Sequence, residues 1–217
     1  MKVPAFTLVP LPDALSFEEG AAVSCGTGTA YGALRRLDVS GRDTLAVFGQ
    51  GPVGLSATLL GRALGARIIA IDVSPERLKL ARELGAEHVI DPRQADPVRA
   101  IHDLTDGDGA ECTMDCTGQP DARAQAVRSA DTWGRVAFVG EGNNVTLEVS
   151  KDLLRRQITL HASWTFSNTS QEECARFIAD RKVPLARLLT HRWRLDQAEE
   201  AYHLFDTQTT GKGVFVF

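Results

Sequence analysis

Short apolar runs alternate with longer amphipathic stretches over most of this 217-residue chain. The runs have the length of buried strands and the stretches have helical periodicity, so the pattern predicts βαβ units in a parallel, doubly wound sheet. We predict strands at 44–48, 67–71, 87–90, 110–115, 135–139 and 158–162. We predict the helices of the same layers at 53–64, 75–84, 94–104 and 120–130.

Both ends of the chain depart from this alternation. Ser16, followed three residues later by Glu19, forms a capping box that predicts a short helix, and a second helix is predicted over 29–37. Later elements are predicted as helices at 171–181 and 195–205 and a terminal strand at 214–217.

A glycine-rich turn joins the first predicted strand to the helix that follows it. Its sequence is Gly49-Gln50-Gly51-Pro52-Val53-Gly54, and the second strand leads into Asp72, eighteen residues after the last glycine. Strand, glycine turn, helix, strand and acid in this order form the dinucleotide-binding fingerprint. Gly49 permits the tight turn, Gly51 lets the backbone approach a pyrophosphate, and Gly54 lets the helix pack closely. Because Asp72 can accept hydrogen bonds from both ribose hydroxyls, the predicted cofactor is NAD.

Composition and charge exclude several classes of function. A net charge of -4 argues against nucleic acid or an anionic membrane as a partner. No apolar stretch reaches the roughly 18 residues of a membrane span, and the N-terminus lacks the apolar core of a signal peptide. We therefore expect a cytoplasmic protein, in which the four scattered cysteines are free thiols rather than disulfides.

Several segments together resemble the medium-chain dehydrogenase/reductase superfamily, specifically its zinc-dependent alcohol and polyol dehydrogenase branch. They follow the family's order along the chain: Leu11-Pro12-Asp13, residues 17–22, residues 25–31, the turn at 49–54, residues 72–77, Leu84-Gly85-Ala86 and Gly211-Lys212. The resemblance implies a Rossmann-type sheet of about six strands. It also implies an N-terminal GroES-like catalytic domain, most of which is missing from this sequence.

The resemblance divides the chain into three parts. Residues 1–25 correspond to a remnant or linker of the catalytic domain, and residues 26–164 to an NAD-binding Rossmann domain. Residues 165–217 correspond to a C-terminal remnant that would pack on the catalytic domain.

The resemblance also implies roles for residues near the reacting end of the cofactor. Cys25 matches a ligand of the catalytic zinc, which it would share with a cysteine and a histidine of the missing domain. Thr29 and Val53 match positions that press on the nicotinamide ring, and Val139 matches the loop that edges it. Purely structural roles stay open for Thr29, as a helix residue, and for Val53, as a core residue.

Two basic residues are candidates for contact with the rest of the cofactor. Lys212 matches a residue that approaches the pyrophosphate, and Arg77 lies five residues after Asp72, where it can cover the adenosine ribose. Pro52, at the start of the helix after the glycine turn, completes the set of candidate cofactor-binding residues. Lys212 and Arg77 are equally compatible with ordinary solvated side chains.

The resemblance implies the cofactor-binding portion of an NAD-dependent, zinc-type dehydrogenase that oxidises a small alcohol or polyol to an aldehyde or ketone. No complete set of catalytic residues is present, so we expect the chain by itself to be inactive and to lack zinc. One alternative is a stand-alone NAD-binding module without turnover. Another is a zinc-free quinone or enoyl reductase that uses NADPH, against which Asp72 argues because it would repel a 2′-phosphate.

Residues 144–149 alternate apolar and polar side chains, which predicts a strand at the edge of the cofactor domain. The resemblance implies that such an edge pairs between two subunits. We therefore expect a homodimer joined along this segment, although an ordinary edge strand protected by Glu148 has the same pattern.

Overall fold

The computed structural model of the protein describes residues 2–207 and 211–217. Residue 1 of the predicted first segment and residues 208–210 of the predicted last segment lie outside the described residues.

Six parallel strands form the central sheet: β1 (Thr44–Phe48), β2 (Arg67–Ile71), β3 (His88–Ile90), β4 (Ala110–Asp115), β5 (Ala130–Phe138) and β6 (Thr159–Ala162). Their order across the sheet is β3-β2-β1-β4-β5-β6. This is the strand order of the doubly wound dinucleotide-binding fold. The predicted fold class, an α/β Rossmann-type sheet of about six strands, is confirmed.

Eight α-helices accompany the sheet within the described part of the chain: α1 (Phe17–Ala22), α2 (Gly28–Arg36), α3 (Pro52–Ala63), α4 (Pro75–Glu83), α5 (Pro97–Leu104), α6 (Pro120–Arg128), α7 (Asn168–Asp180) and α8 (Ala198–Asp206). Each of α3 to α6 begins with proline, whose missing N–H has no intrahelical partner at that position. Helix α5 begins three residues later than predicted because Asp96 caps the amides of Val98 and Arg99.

The central strands β1, β2 and β4 bury both of their faces, as a parallel sheet between two helical layers requires. Alternate residues of β1 belong to opposite clusters: Leu45 and Val47 pack on one face, Ala46 and Phe48 on the other. Strand β5 begins five residues earlier than predicted, because Ala130 pairs with Ala110 before a shift in register.

The first two helices form one helical run rather than two separate elements. A π-helical turn at Val23–Thr27 connects α1 to α2, and the capping box of Ser16 and Glu19 is present at its start. The sequence pattern predicted the two ends of this run but not the π-helical turn, which contains Cys25.

The predicted strand at 144–149 is wrong. Residues 144–148 run without ladder hydrogen bonds, and a second π-helical turn follows at Val149–Leu154. Val145 and Leu147 are half-buried, so the alternation reflects a chain lying on the protein surface rather than a strand. The edge strand on this side of the sheet is β6, which pairs with β5, and β3 is the edge strand on the other side.

The C-terminal region packs on the Rossmann core through α7 and the segment that follows it, and it also forms its own small sheet. Helix α7 packs on α2, where the rings of Tyr31 and Phe177 lie 5.6 Å apart. Strands β7 (Leu189–Trp193) and β8 (Lys212–Phe215) pair in parallel as a two-stranded sheet. The sequence predicted the terminal strand two residues too late and did not predict β7.

Short 3₁₀ turns occur at Ala5–Thr7, Leu185–Leu188 and Leu195–Gln197, and the last of these replaces the start of the helix predicted at 195–205. The four cysteines are free thiols, as predicted. Among residues 2–207 and 211–217, no helix combines the length and the apolar character needed to cross a membrane.

Candidate functional site

A groove of about 590 Å³ opens at the carboxyl ends of β1, β2 and β4. This is the point where the strand order reverses, and open α/β sheets bind their ligands there. The groove is lined by six of the predicted residues: Gly49, Gly51, Pro52, Val53, Asp72 and Arg77.

The glycine turn has the conformation that its sequence predicts. Gly49 has φ +88°, in the region that favours glycine, and its N–H donates to the carbonyl of Ile71 at 2.7 Å. A Cβ on Gly54 would lie 1.7 Å from the carbonyl oxygen of Gly49, so helix α3 can start this close to the turn only with glycine there. The turn and the helix are therefore in backbone contact.

Gly51 differs from the other two glycines because nothing lies within 4 Å of the position of its missing Cβ. It is the N-cap of α3, and no side chain caps this helix. The first-turn amides of a helix without a capping side chain can bind an anion, and the helix dipole favours negative charge at this end. Gly51 thus leaves open space for a phosphate at the start of α3.

Asp72 is buried at the end of β2 and has both of its oxygens anchored. Oδ2 accepts from the backbone N–H of Gln50 at 2.5 Å, and Oδ1 accepts from the N–H of Ser74 at 2.8 Å. Each carboxylate oxygen can accept more than one hydrogen bond, so Asp72 can still receive the hydroxyls of a ribose. Its carboxylate also fixes the glycine turn, a role that the sequence pattern did not indicate.

Arg93 lines the same groove beside Asp72 and was not predicted from the sequence. Its guanidinium donates to both carboxylate oxygens of Asp91, the residue that follows β3, at 2.7 and 3.0 Å. These hydrogen bonds lower the pKa of Asp91 to about 2. The signal available in the sequence was the end of the third strand, which must meet the same edge of the sheet as Asp72.

Cys116 and Thr117 line the groove on the opposite side, after β4. The Cγ2 atom of Thr117 lies 2.5 Å from the position of a Cβ on Gly49, so the two loops touch. Burial and the neighbouring Asp115 raise the pKa of the Cys116 thiol well above its ordinary value. This cysteine is therefore a neutral, small apolar group in the wall of the groove.

The π-helical turn brings Cys25 to the region of Val53. A Cβ on Gly26 would lie 3.7 Å from Cγ2 of Val53, and the Cys25 side chain is exposed. Thr29 follows one turn later, and its hydroxyl donates to the carbonyl of Cys25 at 2.9 Å. Cys25, Thr29 and Val53 thus lie on neighbouring turns of the helical run and of α3.

Within residues 2–207 and 211–217, no group of three or more histidine, cysteine, aspartate or glutamate side chains could hold a metal ion. A catalytic zinc needs three protein ligands. The described residues therefore do not form a zinc site by themselves.

Val139 and Lys212 lie outside the groove lining. Val139 is almost fully buried, and its N–H donates to the carbonyl of Asp115 at 2.9 Å. Lys212 lies with Pro52 in the lining of a neighbouring cavity of about 190 Å³, which also contains Trp193, Tyr202 and Phe215. Lys212 is thus close to the N-terminus of α3.

Fold and groove together define a Rossmann-type dinucleotide-binding protein. The family model described as zinc-binding dehydrogenase matches residues 52–180. The chain therefore belongs to the zinc-binding dehydrogenase family, a family of oxidoreductases whose membership implies NAD(H) as cofactor and zinc in the full enzyme.

Individual relatives agree with this assignment. The chain is 42% identical over 212 residues to the uncharacterized zinc-type alcohol dehydrogenase-like protein YphC of Escherichia coli (strain K12), covering 97% of this chain and 60% of that protein. It is 31% identical to sorbitol dehydrogenase of Bacillus subtilis (strain 168), covering 88% and 54%. The structure of alcohol dehydrogenase TADH from Thermus sp. ATN1 superposes with a TM-score of 0.88 at 31% identity, covering 95% and 60%. The chain spans between about half and 60% of the length of these relatives.

Proposed function

We propose that this chain is the cofactor-binding portion of an NAD-dependent, zinc-type alcohol or polyol dehydrogenase. The observation that carries the proposal is the groove at the start of α3. Gly51 leaves the N-terminus of that helix open, and Asp72, 22 residues beyond Gln50 in the chain, accepts a hydrogen bond from the Gln50 N–H in the glycine turn. NAD, when bound, accepts a hydride from the alcohol carbon. The substrate would be a small alcohol or polyol.

The preference for NAD over NADP follows from the charges around Asp72. A 2′-phosphate would meet the carboxylate of Asp72. The carboxylates of Glu76 and Asp91 lie in the same region, since both residues interact with Arg93. Arg93 is already paired with Asp91 through both oxygens, and Arg77 is nearly buried. The same observation disfavours a zinc-free reductase that uses NADPH.

The remaining predicted residues have roles consistent with this proposal. Thr29 and Val53 would contact the nicotinamide, Val139 would support its edge, and Lys212 would approach the pyrophosphate from beside Pro52. Cys25 would supply one zinc ligand, and the other ligands would come from outside the described residues. We expect no alcohol oxidation by the chain alone, in which case it acts as an NAD-binding module.

The predicted three-part division belongs to the proposal as well. Residues 26–164 would form the NAD-binding unit between the linker at 1–25 and the segment at 165–217. Helix α7 packs on α2 and β8 contacts α1, so within that last segment α8, which exposes Tyr202, would be the part that contacts a catalytic domain.

A dimer also remains part of the proposal, with β6 as the joining edge instead of 144–149. Leu160 of β6 is 41% exposed, and Trp133 and Leu154 are exposed as well. An apolar strand edge of this kind favours pairing with a second copy. Sedimentation at micromolar concentration tests it, and a monomer would overturn it.

Calorimetric titration of the chain with NADH and NADPH tests the cofactor assignment. We expect NADH to bind more tightly by about ten-fold or more, equivalent to about 1.4 kcal/mol. Asp72→Asn should shrink this preference because it removes the charge facing the 2′ position. The matched control is Asp121→Asn, which removes a carboxylate from another part of the groove lining and should leave the preference intact.

Two other outcomes of this titration would count against the proposal. Equal or tighter binding of NADPH would overturn the assignment of NAD. Failure of both nucleotides to bind would overturn the proposed cofactor-binding function itself.

A further inference from the structure

Two loops cross at the carboxyl ends of β4 and β5, residues 115–118 and residues 139–143. A Cβ on Gly118 would lie 2.1 Å from the carbonyl oxygen of Glu141, and a Cβ on Gly140 would lie 2.1 Å from the nitrogen of Gly118. Gly118 also has φ +70°. The backbones therefore touch directly, and the N–H groups of Val139 and Gly140 donate to the carbonyl of Asp115 at 2.9 and 3.0 Å.

A buried ion pair holds the crossing. Asp115 is fully buried at the end of β4, and Arg123 of α6 is 9% exposed. The Nε atom of Arg123 lies 3.4 Å from the Asp115 carboxylate, its Nη1 donates to the carbonyl of Asn143 at 2.8 Å, and its Nη2 donates to the carbonyl of Gly140 at 2.5 Å. The guanidinium carbon also lies 5.6 Å from the centre of the Phe138 ring. One side chain thus ties the end of β4 to two carbonyls of the loop after β5.

Asp115 and Asn143 complete the connection. Asp115 accepts from the N–H and hydroxyl of Thr117 and from the N–H of Gly118, at 2.6 to 3.1 Å. The side-chain amide of Asn143 donates to the carbonyl of Gly118 at 3.1 Å. Since Thr117 touches the Gly49 turn, the network runs from Arg123 to the groove itself.

The strand order indicates which half of a dinucleotide this network faces. The pyrophosphate position is at the start of α3, after β1, and Asp72 places the adenosine over β2. The other half of the molecule must then extend in the opposite direction, over β4 and β5. The crossing loops are the carboxyl ends of those two strands.

We propose that Arg123 is a positioning residue for the nicotinamide half of the cofactor, which it serves by holding the loop at 139–143 against the loop at 115–118. The inference rests on the proposed function, because it assumes a dinucleotide in the groove. Arg123 itself would not touch the cofactor. It fixes the backbone on which the nicotinamide riboside lies.

The test compares NADH with ADP, which lacks the nicotinamide riboside, by calorimetric titration of the unsubstituted chain and of Arg123→Met. The substitution keeps an apolar stem but removes all three donors. Asp115 retains its hydrogen bonds from Thr117 and Gly118, so the turn after β4 should persist while the loop after β5 loosens. We expect NADH to bind about ten-fold more weakly or worse, with ADP binding changed by less than about two-fold.

Arg128→Met is the matched control. Arg128 lies on the same helix and pairs with Asp152, which is also buried, but on a side of α6 that does not reach the crossing loops. Arg128→Met should change the affinities for NADH and ADP by the same factor, or leave both unchanged. Equal losses for NADH and ADP in Arg123→Met, or no loss for either, would overturn the inference while leaving the proposed function intact.

Two milder variants keep the test decisive if Arg123→Met does not fold. Arg123→Lys retains the charge next to Asp115 but loses the fork that reaches two carbonyls. Asn143→Gly suits the positive φ of 56° and removes only the side-chain bond to Gly118. Both variants should weaken the binding of NADH and not that of ADP, by a smaller factor than Arg123→Met. Failure of the unsubstituted chain to bind either ligand would overturn both the proposed function and this inference.

Discussion

The two halves of the groove are held together by different kinds of contact. On the side proposed for the adenosine, backbone amides of Gln50 and Ser74 bind directly to Asp72, so most of the site is main chain plus one carboxylate. On the other side, a buried arginine from helix α6 ties together two loops that follow different strands. The first half is a local motif, whereas the second depends on packing between elements.

This difference has energetic consequences. A hydrogen bond from a backbone amide survives most side-chain substitutions, so the adenosine half is sensitive chiefly at its glycines and at Asp72. A buried ion pair is different, because removing one partner leaves an uncompensated charge and costs about 3–5 kcal/mol. We therefore expect most side-chain substitutions in the first half to leave the free energy of unfolding nearly unchanged. Removal of one partner of the ion pair in the second half should lower it.

The largest effect should come from Gly54→Ala, which would break the backbone contact that both halves share. The new Cβ would lie 1.7 Å from a backbone oxygen that cannot rotate away, so α3 must move. We expect a loss of about 3 kcal/mol or more in the free energy of unfolding, with no binding of NADH or ADP. Thermal unfolding and calorimetric titration measure the two effects.

Gly51→Ala is the matched control for this prediction. Its Cβ meets nothing within 4 Å, so unfolding should change by less than about 1 kcal/mol. The methyl group would nevertheless occupy the space proposed for the phosphates, so NADH and ADP should both bind more weakly and by the same factor. If Gly51→Ala left both affinities unchanged, the pyrophosphate would not lie at this helix N-terminus.

A smaller effect, on the free energy of unfolding at low pH, should come from the pair of Asp91 and Arg93. The hydrogen bonds from Arg93 hold the folded-state pKa of Asp91 at about 2, below its ordinary value of 3.8. The ionised carboxylate therefore stabilises the folded protein above about pH 4, and this contribution disappears as the pH falls toward 2. Urea unfolding between pH 6 and 2 should show a stability difference between the unsubstituted protein and Asp91→Asn that narrows as the pH falls.

Arg93→Gln provides the internal check on this pH dependence. It removes the other partner of the same pair, so its stability deficit should narrow over the same pH window as that of Asp91→Asn. A deficit that stayed constant down to pH 2 would show that the pair does not titrate as described.

The sequence predicted the glycine turn and the position of Asp72 at the end of β2 because their determinants are close together in the chain. The glycine spacing fixes the turn, and the apolar run that leads into Asp72 fixes the second strand. Arg123 carried no comparable signal. Its partners Gly140 and Asn143 are 17 and 20 residues away, across a strand whose starting residue was itself misplaced.

The segment at 144–149 shows the limit of alternation as a strand signal. Period-two burial requires only that an extended chain lie on an apolar surface, and Leu147 packs on the core in this way. A strand also needs ladder partners, and those depend on the path of the neighbouring chain. For the same reason β7 became recognisable only from its pairing with β8.

The packing of α7 on α2 has a consequence for the time course of synthesis. Tyr31 and Phe177, whose rings meet there, are separated by 146 residues of chain. At about 5–20 residues per second, a ribosome needs roughly 7 to 30 seconds to make the intervening segment. During that interval the face of α2 that carries Tyr31 has no partner from α7, so the nascent chain exposes apolar surface that the finished protein covers.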